Sequence, residues 1–138
     1  MGLPVGKLIC ASNSNNVLTD FLATGTYDRN RPFHTTMSPS MDILVSSNLE
    51  RLLFALSGQN DQEVAGYMKQ LAGQKGCYDR LRGDQGQAPG GFPTAASATT
   101  LKTSAIIAQV WKEHHYLIDP HTAVAYEVMQ DYRRGDRG

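Results

Sequence analysis

Apolar residues fall in short blocks along this chain, and the spacing inside each block separates strand from helix. The run KLICAS (7–12) has a turn-forming Gly-Lys at its start and the polar SNSNN (12–16) at its end. That pattern predicts a strand buried on both faces, as in a parallel sheet. Val17, Leu18, Phe21 and Leu22 follow at helical spacing, with N-cap oxygens before them and Gly25 as a stop. Leu49, Leu52, Leu53 and Leu56 repeat at i, i+3, i+4 and i+7, and Ser47 with Glu50 has capping-box spacing. Val64, Tyr67, Met68 and Leu71 predict another helix from about Asp61 to Ala72, closed by Gly73. Two helices joined by GQN (58–60) should pack as a hairpin.

A further helix is expected from Thr99 or Thr100 through His115. Leu101, Ala105, Ala108 and Trp111 lie on one side of it, with Ile106, Ile107 and Val110 nearby, so burial against more than one neighbour is predicted. In YLIDPHTAVAYEVM (116–129), Asp119 suits an N-cap and Pro120 the first helical position, with Ala125, Val128, Met129 and Tyr132 as the buried stripe. The same helix start aims backbone N–H groups near His121 and Thr122 outward, which would also suit an anion.

Two stretches lack a period. Residues 26–40 read as a loop with one extended piece near Phe33 to Thr36. Residues 73–99 are rich in Gly, Ala and Pro and read as a flexible connector. The expected organisation is an α/β segment with a helical hairpin over 1–72, that connector over 73–99, and two C-terminal helices of the same domain over 100–138. The fold class predicted is α/β and helix-rich, with one or two parallel strands and several amphipathic helices.

Composition narrows the function. The 138 residues suffice for one core, and thirteen basic residues cancel thirteen acidic ones. No whole-molecule field draws in nucleic acid or an anionic membrane, so neither is an expected partner. No apolar run approaches the ~20 residues of a membrane span, and the N-terminus lacks a signal-peptide pattern, so a cytoplasmic chain is expected. Cys10 and Cys77 form no CxxC pair, and His34, His114, His115 and His121 sit in no HExxH or similar ligand spacing, so no metal is expected. Gly83, Gly86, Gly90 and Gly91 precede no Gly-Lys-Ser/Thr, RGD at 82–84 and 134–136 reads as chance, and no serine has a GxSxG setting. What remains are the polar sets beyond the predicted strand, SNSNN and TTMSPSMD (35–42), because open parallel sheets bind ligands at the carboxyl ends of their strands. Asn13, Asn16, Ser38, Ser40 and Asp42 are the candidates, with turn formation as the alternative for each. His121 joins them through the helix start.

The segments GLPVGKLICASNSNNVLTDFLATGTYDRN, TTMSPSMDILVSSNLERLLFAL and YLIDPHTAVAYEV, taken in this order, resemble threonine synthase. That family uses pyridoxal phosphate to turn O-phospho-L-homoserine and water into L-threonine and phosphate. The resemblance covers about Gly2 to Ser57 and Val110 to Gln130, and the chain departs from the family's pattern at GQAPGGFPTAASATTLKTSAII (86–107). It implies a partial fold-type II domain, internal to C-terminal in the family. The family's Schiff-base lysine and phosphate-binding glycine loop lie upstream of the segment similar to Gly2 to Ser14, and a hydroxyl residue for the pyridine nitrogen lies downstream of DPHTAVAYEV. Lys7, Lys69, Lys75, Lys102 and Lys112 lack the surroundings of that lysine. The resemblance therefore implies no catalytic or cofactor-binding residue in this chain, a substrate-cleft role for Asn13, Asn16, Ser38, Ser40, Asp42 and His121, and no activity alone. Its partner would be the remainder of the enzyme or a second copy. The rival expectation is a non-catalytic interaction module or relic, whose unpaired strand groups and apolar faces would seek a partner.

Overall fold

A computed structural model describes Pro4 and residues 8–73, 77–79, 94–97 and 100–135, with 77–79, 94–97, 100 and 101 described by backbone alone. The elements are β1 (Ile9–Ser12), α1 (Val17–Thr24), β2 (Thr26–Asp28), a 3-10 turn (Pro39–Met41), α2 (Leu49–Leu56), α3 (Asp61–Ala72), β3 (Cys77–Asp79), β4 (Thr94–Ser97), α4 (Thr100–His114) and α5 (Pro120–Gly135).

β1 pairs in parallel with β4, Ile9 opposite Thr94 and Ser12 opposite Ser97. Alternate β1 side chains face opposite layers. Ile9 and Ala11 pack on Val124 and Val128 of α5, while Cys10 packs on the cluster built by α1. Helices therefore flank β1 on both faces, as its apolar run predicted. Burial pushes the Cys10 thiol up.

The main core joins α1, β2, α2 and α3 through Val17, Phe21, Leu22, Tyr27, Leu49, Leu53, Val64 and Leu71. The Tyr27 hydroxyl, deep in this cluster, donates to Leu44 O (3.3 Å) and accepts from Ser46 N (2.8 Å), so it fastens the chain leading to α2. Gly25 ends α1 at φ 79°, a left-handed conformation that glycine adopts without penalty. At the other end of the cluster, Arg29 donates to the carbonyls of Ala72 and Gly73 at 3.3 and 3.1 Å and so caps α3.

α3 has its expected bounds, and Asn60 Oδ1 accepts the Glu63 N–H at 3.1 Å. The capping box expected at Ser47 and Glu50 does not form: α2 starts at Leu49, and Asn48 before it makes no side-chain cap. Of the α2 stripe, Leu49 and Leu53 are buried whereas Leu52 and Leu56 are exposed. No strand forms at 33–36; the extended residues are instead β2, which pairs antiparallel with β3. The stretch expected to be a connector carries both β3 and β4. Small residues such as Thr-Ala-Ala-Ser show no apolar period, so pattern alone could not reveal a strand there. The glycines at 83, 86, 90 and 91, the RGD at 82–84 and Lys75 lie outside the described residues.

α4 turns a different side inward from the one its spacing suggested. Thr103, Ile106 and Val110 are buried, while Ala105, Ala108 and Trp111 face outward. Ile106 and Val110 meet Ala123 of α5 in a third cluster. On α5 the buried residues are Ala123, Val124, Glu127 and Val128; of the expected stripe Val128 is buried, Met129 and Tyr132 are half-buried and Ala125 is exposed.

Glu127 is 4% exposed, and neither carboxylate oxygen has a hydrogen-bond partner among the described residues. Lys102 Nζ stands 3.4 Å from Oε1, an ion-pair distance without hydrogen-bond geometry. Burial raises the Glu127 carboxyl, and Lys102 only partly offsets it. A carboxyl raised above its unfolded value subtracts stability above that value, near ~4.3, and the penalty fades as pH falls through the folded pKa. We expect Glu127→Met to raise the urea midpoint at pH 7, with a gain in unfolding free energy of only about 1 kcal/mol because Lys102 is largely exposed. The gain should shrink toward pH 4. A lower midpoint at pH 7 would instead show that the Lys102 pair is net stabilising.

Candidate functional site

The loop leaving the carboxyl end of β1 is held by amide and carboxylate side chains rather than by apolar packing. Asn13 is buried, and its Nδ2 lies 2.7 Å from Asp42 Oδ1 and 2.9 Å from both Thr36 Oγ1 and Ser38 Oγ. Its Oδ1 accepts Asn15 N–H at 2.9 Å, an Asx turn that starts the loop. Asn15 then acts as a substitute backbone: Oδ1 accepts His34 N–H (2.9 Å) and Nδ2 donates to His34 O (2.7 Å). The long segment after β2 is thereby tied to β1 without a strand.

Asp42 is the centre of this network. Its Oδ1 accepts from Asn13, from Asn15 at 3.0 Å and from the Thr36 hydroxyl at 2.7 Å, and Oδ2 accepts Thr36 N–H at 2.8 Å. Partial burial pushes the Asp42 carboxyl up, but the Thr36, Asn13 and Asn15 donors together outweigh it and hold the group below the usual carboxylate range.

A cavity of about 160 Å³ opens beside the network, lined by Ala11, Ser12, Asn15, Leu18, Ser40, Met41 and Ile43. Its polar wall is neutral. Ser40 N–H donates to His121 Nε2 at 3.2 Å, which ties this wall to the start of α5. There Asp119 is the N-cap foreseen in the sequence, accepting His121 N–H (2.9 Å), Thr122 N–H (3.3 Å) and the Thr122 hydroxyl. The Thr122 and His121 donors hold the Asp119 carboxyl well below its usual range. The donors expected to face an anion are thus taken by Asp119.

Of the sequence candidates, Asn13, Ser38 and Asp42 meet in one network, Ser40 lines the cavity, and His121 reaches Ser40 from α5. Asn16 goes elsewhere: its Oδ1 accepts Arg31 Nη1 at 3.1 Å, and that nitrogen also pairs with Asp20 Oδ2 at 2.6 Å. Asn15 and Thr36, inside SNSNN and TTMSPSMD, also join the network although strand-end position alone does not single them out. The signal for Asn15 was available, since asparagine after a strand can hydrogen-bond neighbouring backbone in place of water. Among the described residues no three His, Cys, Asp or Glu side chains gather as a metal set. Among the described residues no lysine lines the cavity. Lys69 and Lys112 are exposed on helices, Lys102 stands by Glu127 and Asp131, and Lys7 and Lys75 lie outside the described residues.

The fold has close counterparts. A threonine synthase of Pseudomonas aeruginosa is 38% identical over 135 residues, covering 97% of this chain and 28% of that protein. The chain is homologous to a segment of threonine synthase. The PLP-bound threonine synthase of Brucella melitensis superposes with a TM-score of 0.83 at 38% identity, over 95% of this chain and 28% of that one. A human protein, threonine synthase-like 1, is 41% identical over 137 residues, 93% of this chain and 17% of its own length. No protein-family model matches the sequence. The chain thus spans about 28% of the bacterial threonine synthase it matches, and the match runs through 86–107 as well as through the segments that carried the resemblance. Among the described residues, no helix is long and apolar enough to cross a membrane.

Proposed function

We propose that this chain forms part of a threonine synthase, the pyridoxal-phosphate enzyme that converts O-phospho-L-homoserine and water to L-threonine and phosphate. Its share of the site is a neutral polar wall. The observation that carries this reading is the network closed on Asp42 at the carboxyl end of β1, with the cavity beside it. A strand end in a parallel sheet is where this architecture places ligands. Asn13, Asn15, Thr36 and Asp42 set the loop, while Ser12 and Ser40 face the cavity and orient a polar substrate by neutral hydrogen bonds.

The described residues do not fit a complete grip on pyridoxal phosphate. That coenzyme needs an amine to hold it and donors for its phosphate, and among the described residues neither a lysine nor an arginine lines the cavity. The remainder of a threonine synthase is the partner that would supply both. The 138-residue chain, incubated with pyridoxal phosphate and O-phospho-L-homoserine, is expected to release no phosphate and to yield no pyridoxyl-lysine after borohydride reduction. Adding the complementary part of the Pseudomonas enzyme, with the matching segment deleted, should restore phosphate release. Turnover by the chain alone, with coenzyme trapped on one of its lysines, would overturn the proposal, and so would failed restoration by a complement that binds the chain.

A further inference from the structure

His121 touches two groups that each permit only one direction of hydrogen bonding. A backbone N–H can only donate, so Nε2, 3.2 Å from the Ser40 nitrogen, must accept with a bare lone pair. An ionised carboxylate can only accept, so Nδ1, 3.0 Å from Asp119 Oδ1, must carry the hydrogen. Asp119 is ionised under ordinary conditions, because the Thr122 and His121 donors stabilise its charge. Both partners therefore demand the same neutral tautomer.

We propose that His121 is a positioning residue rather than a ligand-facing one: a neutral imidazole with its proton on Nδ1, held by Asp119, that fixes the Ser40 side of the cavity to α5. Three features support this assignment. The 3-10 turn Pro39–Met41 is one short turn, with internal bonds from Met41 N to Ser38 O at 2.9 Å and from Asp42 N to Pro39 O at 3.1 Å. Those bonds set the shape of the turn but do not anchor it to the layer beyond. Met41 of the same turn packs on Val124 and Val128, so the imidazole adds direction to an apolar contact that by itself fixes none. The Asp119 bond, finally, restricts ring rotation and selects the tautomer, the role a carboxylate plays behind a functional imidazole elsewhere. The value of this placement to a substrate rests on the threonine synthase reading; the tautomer and the anchor do not.

The test uses the full chain, labelled with nitrogen-15 and without ligand, so its outcome is independent of whether the chain joins an enzyme. The His121 ring should show a protonated Nδ1 and an unprotonated Nε2, with a coupling across the hydrogen bond to the Ser40 amide. His121→Gln places an amide oxygen near the Nε2 position and keeps an acceptor for Ser40; His121→Asn is one bond too short. Hydrogen exchange at the Ser40 amide should stay within about twofold of wild type in H121Q and rise roughly fivefold to tenfold in H121N, the value of one hydrogen bond. Amides of α3, remote from the contact, should not change. An Nε2-protonated ring, or equal Ser40 exchange in all three proteins, would refute the proposal. Should H121N fail to fold, the wild-type ring spectrum and the H121Q exchange rate decide the matter.

Discussion

Phe21→Ala is expected to lower unfolding free energy by about 3–5 kcal/mol, the usual cost of emptying a buried phenyl site. Phe21 is fully buried, and its ring lies 5.5 Å from that of Tyr27 at a tilted 59°. It belongs to the cluster that α1, β2, α2 and α3 share and packs directly on Tyr27 of β2, so its removal withdraws packing from that common core. A native domain has only about 5–15 kcal/mol in hand, so the variant should unfold at much lower urea and show lost near-ultraviolet signal from Tyr27. Phe21→Leu keeps most of the volume and should cost less than half as much. A loss below about 1 kcal/mol for the alanine variant would mean that the cluster relaxes to fill the gap, and that the stability of the chain lies elsewhere.

The second large effect concerns Asp42. Truncation to alanine strands the Asn13 and Asn15 amides together with the Thr36 hydroxyl and N–H, four donors that now share one carboxylate. Water can replace part of this because Asp42 is itself only half-buried, so the expected cost is about 2–3 kcal/mol rather than the sum of four charged hydrogen bonds. The sign of the pH effect is set by the lowered carboxyl. Stability from Asp42 is fully present above its unfolded value, about 3.9, and is lost as pH falls through the lower folded value. Urea midpoints from pH 7 down to pH 3 should therefore fall less steeply in Asp42→Asn than in wild type over the acid end. Parallel curves for the two proteins would assign the acid loss to other carboxylates.

The local parts of this fold could be read from the residues. Val17, Phe21 and Leu22 mark α1, Asn60 and Gly73 bracket α3, and Asp119-Pro120 starts α5, because spacing and caps are properties of neighbouring residues. Orientation was harder. α4 carries apolar residues around most of its surface, so only packing against Ala123 decided that Ile106 and Val110 go inward and Trp111 stays out. β4 was invisible because alanine, serine and threonine make no contrast along a strand, and its partner β1 lies far away in the chain. The candidate site was half legible. Strand-end reasoning reached Asn13, Ser38, Ser40 and Asp42, whereas it said nothing about which of them would be spent on one another. Asn16 and Asn15 are neighbours of the same type, yet one joins Arg31 and the other His34, a choice made by the course of a distant loop.

The contact between Ser40 and His121 spans 81 positions of chain. Closing a loop of that length costs conformational entropy before any reward is collected, while the α2–α3 pair needs only a short link between its helices. Loop entropy therefore favours the helical pair early, and the pocket's far wall late, together with the equally distant meetings of β1 with β4 and α5.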